Sequence, residues 1–300
     1  MNGEPKALAE LSGLPKILGS TRVCAVIGDP VAHSLSPPIQ NAAFRSLDLD
    51  FVYVAFRVRT RDLRAAIQEI RSLGLEGANV TIPHKTRVLP LLDAIDGTAR
   101  EIGAVNTIVR RDGGFCGYNT DGEAAMTALQ SLGGSLSGRR AVILGAGGAA
   151  RAIVYYLSKV VERIAILNRT RSKGSILAAK IRRLGGADCR SYGLDRESLR
   201  KQVGQASLLI NALPPDAFSR FGKMLSQERL IGQGVIVFDI NYSPKNDFLA
   251  SSELAGAKSA DGLDMLVGQA ALSFKLWTGR EAPIDVMREA AIQARAAWST

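Results

Sequence analysis

The hexapeptide Gly145-Ala146-Gly147-Gly148-Ala149-Ala150 stands between two apolar runs, RAVIL before it and RAIVYYL after it. This placement restricts the chain more than any other feature, because it fits G-x-G-x-x-G/A read as strand, tight turn and helix start. Each residue type has its own reason. Gly145 permits the turn, Gly147 lets backbone approach a pyrophosphate, and Ala150 lets the helix pack closely on its strand. The helix start then offers free N–H groups and a positive dipole end to an anion. A strand of this kind belongs in a parallel sheet, so an α/β fold is expected.

The next strand, RIAILNRT (163–170), bears on which dinucleotide is meant. An NAD site usually places a carboxylate about 20 residues beyond the glycines, where it holds the ribose 2′-hydroxyl. Here the chain carries Asn168, Arg169, Thr170, Arg171, Ser172 and Lys173, and no carboxylate. Cations and a hydroxyl suit a 2′-phosphate, so NADP is expected over NAD. The charge distribution agrees. The chain carries a net +10, and residues 139–201 hold 15 basic against 4 acidic residues.

Other segments extend the α/β pattern over a chain of 300 residues, enough for two domains with real cores. Residues 23–28, 51–58, 77–82 and 104–109 read as strands. Leu63, Ala66, Ile67 and Ile70 make one helix face, ended by Gly74. A glycine-rich break at 113–125 separates this unit from a second series with strands at 140–144, 163–170, 206–215 and 234–242. Residues 261–279, and then Pro283 to Trp298, read as helices. Three well-separated cysteines and only two histidines argue against a disulfide framework and against a metal site. The first 20 residues lack the apolar core of a signal peptide, and no apolar run reaches membrane-spanning length, so a cytoplasmic protein is expected.

Seven segments, in order, resemble the shikimate dehydrogenase family: SLSPPIQNAAF (34–44), GANVTIPHK (77–85), GAVNT (103–107), NTDG (119–122), GAGGAA (145–150), NRT (168–170) and DGLDMLVGQAA (261–271). The resemblance runs from about residue 22 to the end. It implies two α/β domains: a substrate-binding catalytic domain, 1–120 completed by helices in 264–300, and a Rossmann-type NADP-binding domain, 121–263. It implies NADPH-dependent, reversible reduction of 3-dehydroshikimate to shikimate on the route to aromatic amino acids. Lys85 and Asp121 are then the catalytic residues. Ser34, Ser36, Thr81, Asn106, Asp121, Tyr242 and Gln269 would bind substrate, with the two serines on its carboxylate. Gly145, Ala146, Gly147, Gly148, Ala149, Asn168, Arg169, Thr170, Lys173, Asn211, Ala212 and Gly262 would bind the cofactor.

Elementary chemistry agrees with the carry-over. Reduction of a ring carbonyl leaves negative charge on oxygen, so the site needs a proton donor there. Lys85 fills that part, and Pro83 is expected to begin a helical turn that sets Lys85 near a helix N-terminus. A polyhydroxy acid also demands a polar partner for each hydroxyl. For Ser36, N-capping of the following helix is the structural alternative to anion binding. His84 is expected to play no catalytic part. Asp264 stands where relatives commonly have Gly, adding a charge near the domain junction, and Leu213-Pro214-Pro215 departs from the family on the nicotinamide side.

Several readings remain beside this one. A sister enzyme would act on quinate or an aminated shikimate with NAD or NADP. A catalytically silent sensor could keep the fold. A basic nucleic-acid binder would interleave aromatics with its cations, but between Arg139 and Lys201 the only aromatics are Tyr155, Tyr156 and Tyr192, the first two in an apolar helix, which supports that reading poorly. The partners expected are a small-molecule substrate and no nucleic acid or membrane, with a monomer or homodimer. The two domains are expected to move apart when no ligand bridges them.

Overall fold

The computed structural model describes residues 17–243 and 245–297. Most of the N-terminal segment discussed above, and the Trp298 end of the last expected helix, lie outside the described residues. Twelve strands form two six-stranded sheets among them.

The first sheet takes β1 (Arg22–Gly28), β2 (Phe51–Arg57), β3 (Gly77–Val80), β4 (Ala94–Ile95), β5 (Thr107–Arg111) and β6 (Gly114–Tyr118), in the order β2-β1-β3-β5-β6-β4. Its helices are α1 (Ser36–Ser46), α2 (Leu63–Ser72) and α3 (Gly97–Ile102). The sheet is mixed. β1 pairs parallel with β2 and β3, but β5 runs antiparallel to both β3 and β6. The expected glycine-rich break at 113–125 is therefore in part a strand. Asp112-Gly113 makes a two-residue turn between Arg111 and Gly114, and Asp-Gly is a dipeptide that favours hairpins. On α2, Leu63, Ile67 and Ile70 are buried as the helical spacing requires, and Gly74 lies just beyond at φ +74°.

α4 (Asp121–Ser131) leads into the second sheet. That sheet takes β7 (Arg140–Leu144), β8 (Arg163–Asn168), β9 (Asp188–Gly193), β10 (Leu208–Asn211), β11 (Ile236–Asp239) and β12 (Lys258–Ala260), in the order β12-β11-β10-β7-β8-β9. Every pairing is parallel. The crossovers are α5 (Gly148–Leu157), α6 (Arg171–Arg183), α7 (Arg196–Val203), α8 (Pro215–Gln227) and α9 (Asp247–Leu254). Val142, Ile143, Leu209, Ile210, Val237 and Phe238 are buried along the central strands, as a sheet covered on both faces demands.

The chain then returns to the first sheet. α10 (Leu263–Thr278) buries Leu263, Val267, Ala270, Phe274 and Trp277 with Phe44, Phe51 and Tyr53, while α11 (Ile284–Ala296) adds Met287 and Ala291. Phe44 stacks on Phe51 and Phe274 with ring centroids 5.0 and 5.2 Å apart, and Trp277 Nε1 donates to the Ile108 carbonyl at 2.9 Å. Segments from both halves of the chain thus build one apolar core, which only long-range contact could assemble.

Candidate active site

The turn after β7 has the form its sequence suggests. Gly145 sits at φ +114°, and a Cβ there would come 2.9 Å from the Ala212 carbonyl oxygen, so both backbone angle and space require glycine. Gly147 precedes α5; a Cβ on it would meet nothing within 4 Å, and no side chain caps the helix. α5 thus begins beside an open Gly147 with N–H groups that no side chain caps, as a pyrophosphate needs. Ala146 is buried, Ala149 half-buried, and Ala150 fully buried against the core.

Where β8 ends, Asn168 Nδ2 donates to the Thr170 carbonyl at 2.8 Å and closes the loop. Arg169, Thr170 and Lys173 are exposed around it. No Asp or Glu occurs from Arg163 to Ala187. These residues fit a dinucleotide that carries an additional phosphate.

After β3 the chain makes successive turns through residues 82–87, and Val88 N–H donates to the His84 carbonyl at 2.9 Å, a single helical turn that does not continue as an α-helix. Lys85 also approaches a longer helix start across the fold. A Cβ on Gly148, the first residue of α5, would lie 2.6 Å from Lys85 Cβ. Local hydrogen bonds fix the lysine backbone: Val105 N–H donates to the Lys85 carbonyl at 2.8 Å, and His84 N–H to Thr81 O at 2.8 Å. His84 itself is fully buried, with Nε2 2.6 Å from the Val58 carbonyl oxygen.

Lys85 Nζ donates to Asp121 Oδ2 at 2.6 Å, and the two side chains are 15% and 4% exposed. So sheltered an ion pair persists only if its other polar atoms are satisfied. Asp121 Oδ1 accepts from Asn106 Nδ2 at 2.9 Å, and Asn106 Nδ2 also approaches Thr120 Oγ1 at 2.8 Å and Gln269 Oε1 at 3.3 Å. Asp121 is the first residue of α4, where a carboxylate meets the favourable end of the helix dipole. The segment leading into β5, the start of α4, and α10 thus each contribute one wall of a polar cage.

The remaining expected residues lie in the segments around α1, β3, β10, β11 and α10. Ser34 Oγ accepts from Ser36 N–H at 3.2 Å. Ser36 is the first residue of α1 rather than its cap; the cap position is Leu35, without a side-chain bond, so the N-capping alternative is not realised. Thr81 is half-buried with its methyl against Gly28. Tyr242, beyond β11, packs on the apolar core of the first sheet, and burial pushes its phenol pKa up. Gly262 N–H donates to Asn241 O at 3.0 Å at the start of α10. Asn211 is fully buried and hydrogen-bonded within the loop, so its side chain supports the cleft rather than lining it. Asp264 is paired with Arg288 of α11 at 2.8 Å, which accounts for the extra charge.

A second layer escapes a reading of the sequence alone. Asn79 Oδ1 accepts from Tyr53 Oη at 2.6 Å, while its Nδ2 donates to Asn106 O, Thr107 Oγ1 and Ser273 Oγ at 3.0–3.1 Å. Thr120 N–H donates to Asn106 Oδ1 at 2.8 Å, and Asn119 Oδ1 accepts from Asp121 N–H at 3.1 Å. The signal is present in the motifs. Asn79 opens NVTIPHK, and Asn119 and Thr120 open NTDG, but the role of each depends on partners far along the chain. No group of three or more His, Cys, Asp or Glu suited to a metal occurs among the described residues.

A parallel sheet with a bare glycine helix start, set against a second α/β unit that holds a buried Lys–Asp pair, defines the class of two-domain, nicotinamide-dependent oxidoreductases. Three family profiles match in chain order: "Shikimate dehydrogenase substrate binding domain" at 26–108, "Shikimate / quinate 5-dehydrogenase" at 126–213, and "Shikimate 5'-dehydrogenase C-terminal domain" at 262–292. A shikimate dehydrogenase (NADP(+)) of Methanothermobacter thermautotrophicus is 43% identical over 277 residues, covering 91% of this chain and 97% of the relative. A crystal structure of a shikimate dehydrogenase in complex with NADP+ superposes with a TM-score of 0.82 at 38% identity, covering 93% of this chain and 97% of the other. The Thermus thermophilus shikimate 5-dehydrogenase in complex with NADP(H) and shikimate does so with a TM-score of 0.75 at 33% identity, covering 91% and 99%. The chain belongs to the shikimate dehydrogenase family.

Proposed function

We propose that this protein catalyses the NADP(H)-dependent, reversible reduction of 3-dehydroshikimate to shikimate. The observation that carries the reading is the Lys85–Asp121 pair at 2.6 Å, sheltered, and held where the α5 turn meets the polar cage. The backbone of residues 145–149 would hold the pyrophosphate, and Asn168, Arg169, Thr170 and Lys173 the ribose phosphate. Asn211, Ala212 and Gly262 would shape the nicotinamide end. When bound, NADPH supplies the hydride. Lys85 Nζ holds the proton that the carbonyl oxygen takes up as charge develops on it. Asp121 orients the ammonium and accepts a hydrogen bond from a substrate hydroxyl. Asn106, Gln269 and Thr81 would meet the other hydroxyls, Ser34 and Ser36 the carboxylate, and Tyr242 would close the wall toward the nicotinamide. In this reading residues 1–120 with 264–300 bind substrate and 121–263 bind NADP. The protein works in the cytoplasm as a monomer or homodimer.

The test is absorbance at 340 nm with shikimate and quinate, each against NADP+ and NAD+. Shikimate with NADP+ is expected to give the highest kcat/KM. A preference for quinate favours quinate dehydrogenation instead. Lys85→Ala is expected to lower kcat by roughly 100-fold or more, the usual span of a lost general acid, with a smaller change in KM. An unchanged kcat removes Lys85 from the chemistry.

A further inference from the structure

β11 ends on a buried carboxylate that the chemistry above leaves unused. Asp239 is 2% exposed, and each polar group that the structure brings to it is an amide. Oδ1 accepts from Asn211 Nδ2 at 2.9 Å, from Asn241 backbone N–H at 3.0 Å and from Asn241 Nδ2 at 2.7 Å. Oδ2 accepts from Asn246 Nδ2 at 2.9 Å. Burial pushes the Asp239 pKa up, and these four bonds oppose that shift. No cation takes part among the described residues. Four donors converging on two oxygens solvate a carboxylate ion as water would, and a group lacking acceptors would leave them unmet.

The donors come from the two loops at the carboxyl ends of adjacent strands, β10 and β11. Asn211 Oδ1 accepts from Leu213 N–H at 3.1 Å, and Asn241 Nδ2 donates to Leu213 O at 3.0 Å. Ile240 N–H donates to Asn211 O at 3.0 Å, tying the loops a second time. These loops also carry Ala212, which Gly145 approaches, and Tyr242, which packs toward the first sheet. Ligands of open parallel sheets bind at this edge. Asp239 is thus the common anchor of both loops that border the cleft beside the α5 turn.

We propose that Asp239 is a positioning residue, an amide-solvated anion that fixes the Ala212 and Tyr242 loops against the bound nicotinamide. This rests on reading the cleft as an NADP(H) and shikimate site. Asp239 touches neither ligand in this scheme and acts through Asn211 and Asn241.

Full-length Asp239→Asn and Asn241→Ala test it. Asparagine keeps the size of the side chain but turns one acceptor into a donor that faces other donors. The expected result for Asp239→Asn is a KM for NADP+ raised roughly ten-fold with a fall in kcat, and a clearly smaller rise in the shikimate KM through Tyr242. Asn241→Ala, which removes only one bridge, is expected to show the same split to a smaller degree. A merely structural role would lower the melting temperature and the active fraction, yet leave the NADP+ KM of the folded enzyme at its wild-type value, and that result overturns the proposal. Should Asp239→Asn fail to fold, an unchanged NADP+ KM in Asn241→Ala overturns it alone. Wild-type enzyme that turns over shikimate beside variants with unmoved constants removes only the positioning role. Wild-type enzyme inert with both ligands removes the underlying reading, and this proposal with it.

Discussion

Gly148 has two reasons to be glycine, and only one comes from the phosphate-binding turn. The fingerprint leaves position 148 free, but a backbone that must approach phosphate favours a small residue there, and the structure adds Lys85, whose Cβ would lie 2.6 Å from any Cβ at 148. Real Cβ contacts are not that short, and the lysine stem must move if one is added. Gly148→Ala is therefore expected to lower kcat several-fold to ten-fold by displacing Nζ from Asp121, since about 1 Å of misplacement costs this much or more. Steady-state kinetics check it, with thermal melting as the control for folding. The Lys85–Asp121 pair is legible because NVTIPHK and NTDG carry it. The Lys85–Gly148 contact is not, because it joins residues far apart in sequence through the packing of two sheets. Asp239 is hidden because DINY reads as the end of a strand: Asn241 and Asn246 are near in sequence, but Asn211 comes from the neighbouring strand.

Among the elements, the central strands are the easiest to read. β7, β8, β10 and β11 are runs rich in Val, Ile, Leu and Phe at the buried middle of their sheet, and such runs announce themselves. β9 and β12 sit at the two edges of that sheet, β4 at an edge of the other, and β6 carries two glycines in five residues, a composition that reads as loop. Edge strands need bury little, so their sequences carry little pattern. At 82–88 Pro83 suits the start of a helical turn, and the chain closes turns there with the His84 N–H to Thr81 O and Val88 N–H to His84 O bonds. The short helix α3 is held by its cap. Asp96 Oδ1 accepts from Thr98 N–H at 2.9 Å and Ala99 N–H at 3.2 Å. Asp96→Ala is expected to cost about 1 kcal/mol and a few degrees of melting temperature, read by calorimetry, while kcat at room temperature stays near wild type.

Across the whole molecule, polar ties outside the cage also join the two sheets. Tyr155 Oη of α5 donates to Glu101 Oε2 of α3 at 2.5 Å, with Lys159 Nζ donating to the same phenol oxygen at 3.0 Å. Lys180 Nζ of α6 donates to Arg100 O at 3.0 Å. These bonds lie on the α3 side, where they hold the present close approach of Lys85 to the α5 turn. Tyr155→Phe is expected to loosen the pair. Small-angle scattering of the ligand-free variant should give a larger radius of gyration than wild type, and saturating NADP+ with shikimate should erase the difference. Identical radii without ligand would show that Tyr155 does not restrain the opening.

The return of α10 and α11 to the first sheet also sets an order of assembly during synthesis. Strands β7 to β12 and their crossovers are contiguous, so the second sheet has all its strands once Ala260 has left the ribosome. The earlier sheet does not. Phe44, Phe51 and Tyr53 must wait uncovered on the nascent chain until Phe274, Trp277 and Met287 emerge to bury them. The half translated second is thus complete first, while the half translated first offers chaperones its sticky aromatic face until the last helix arrives.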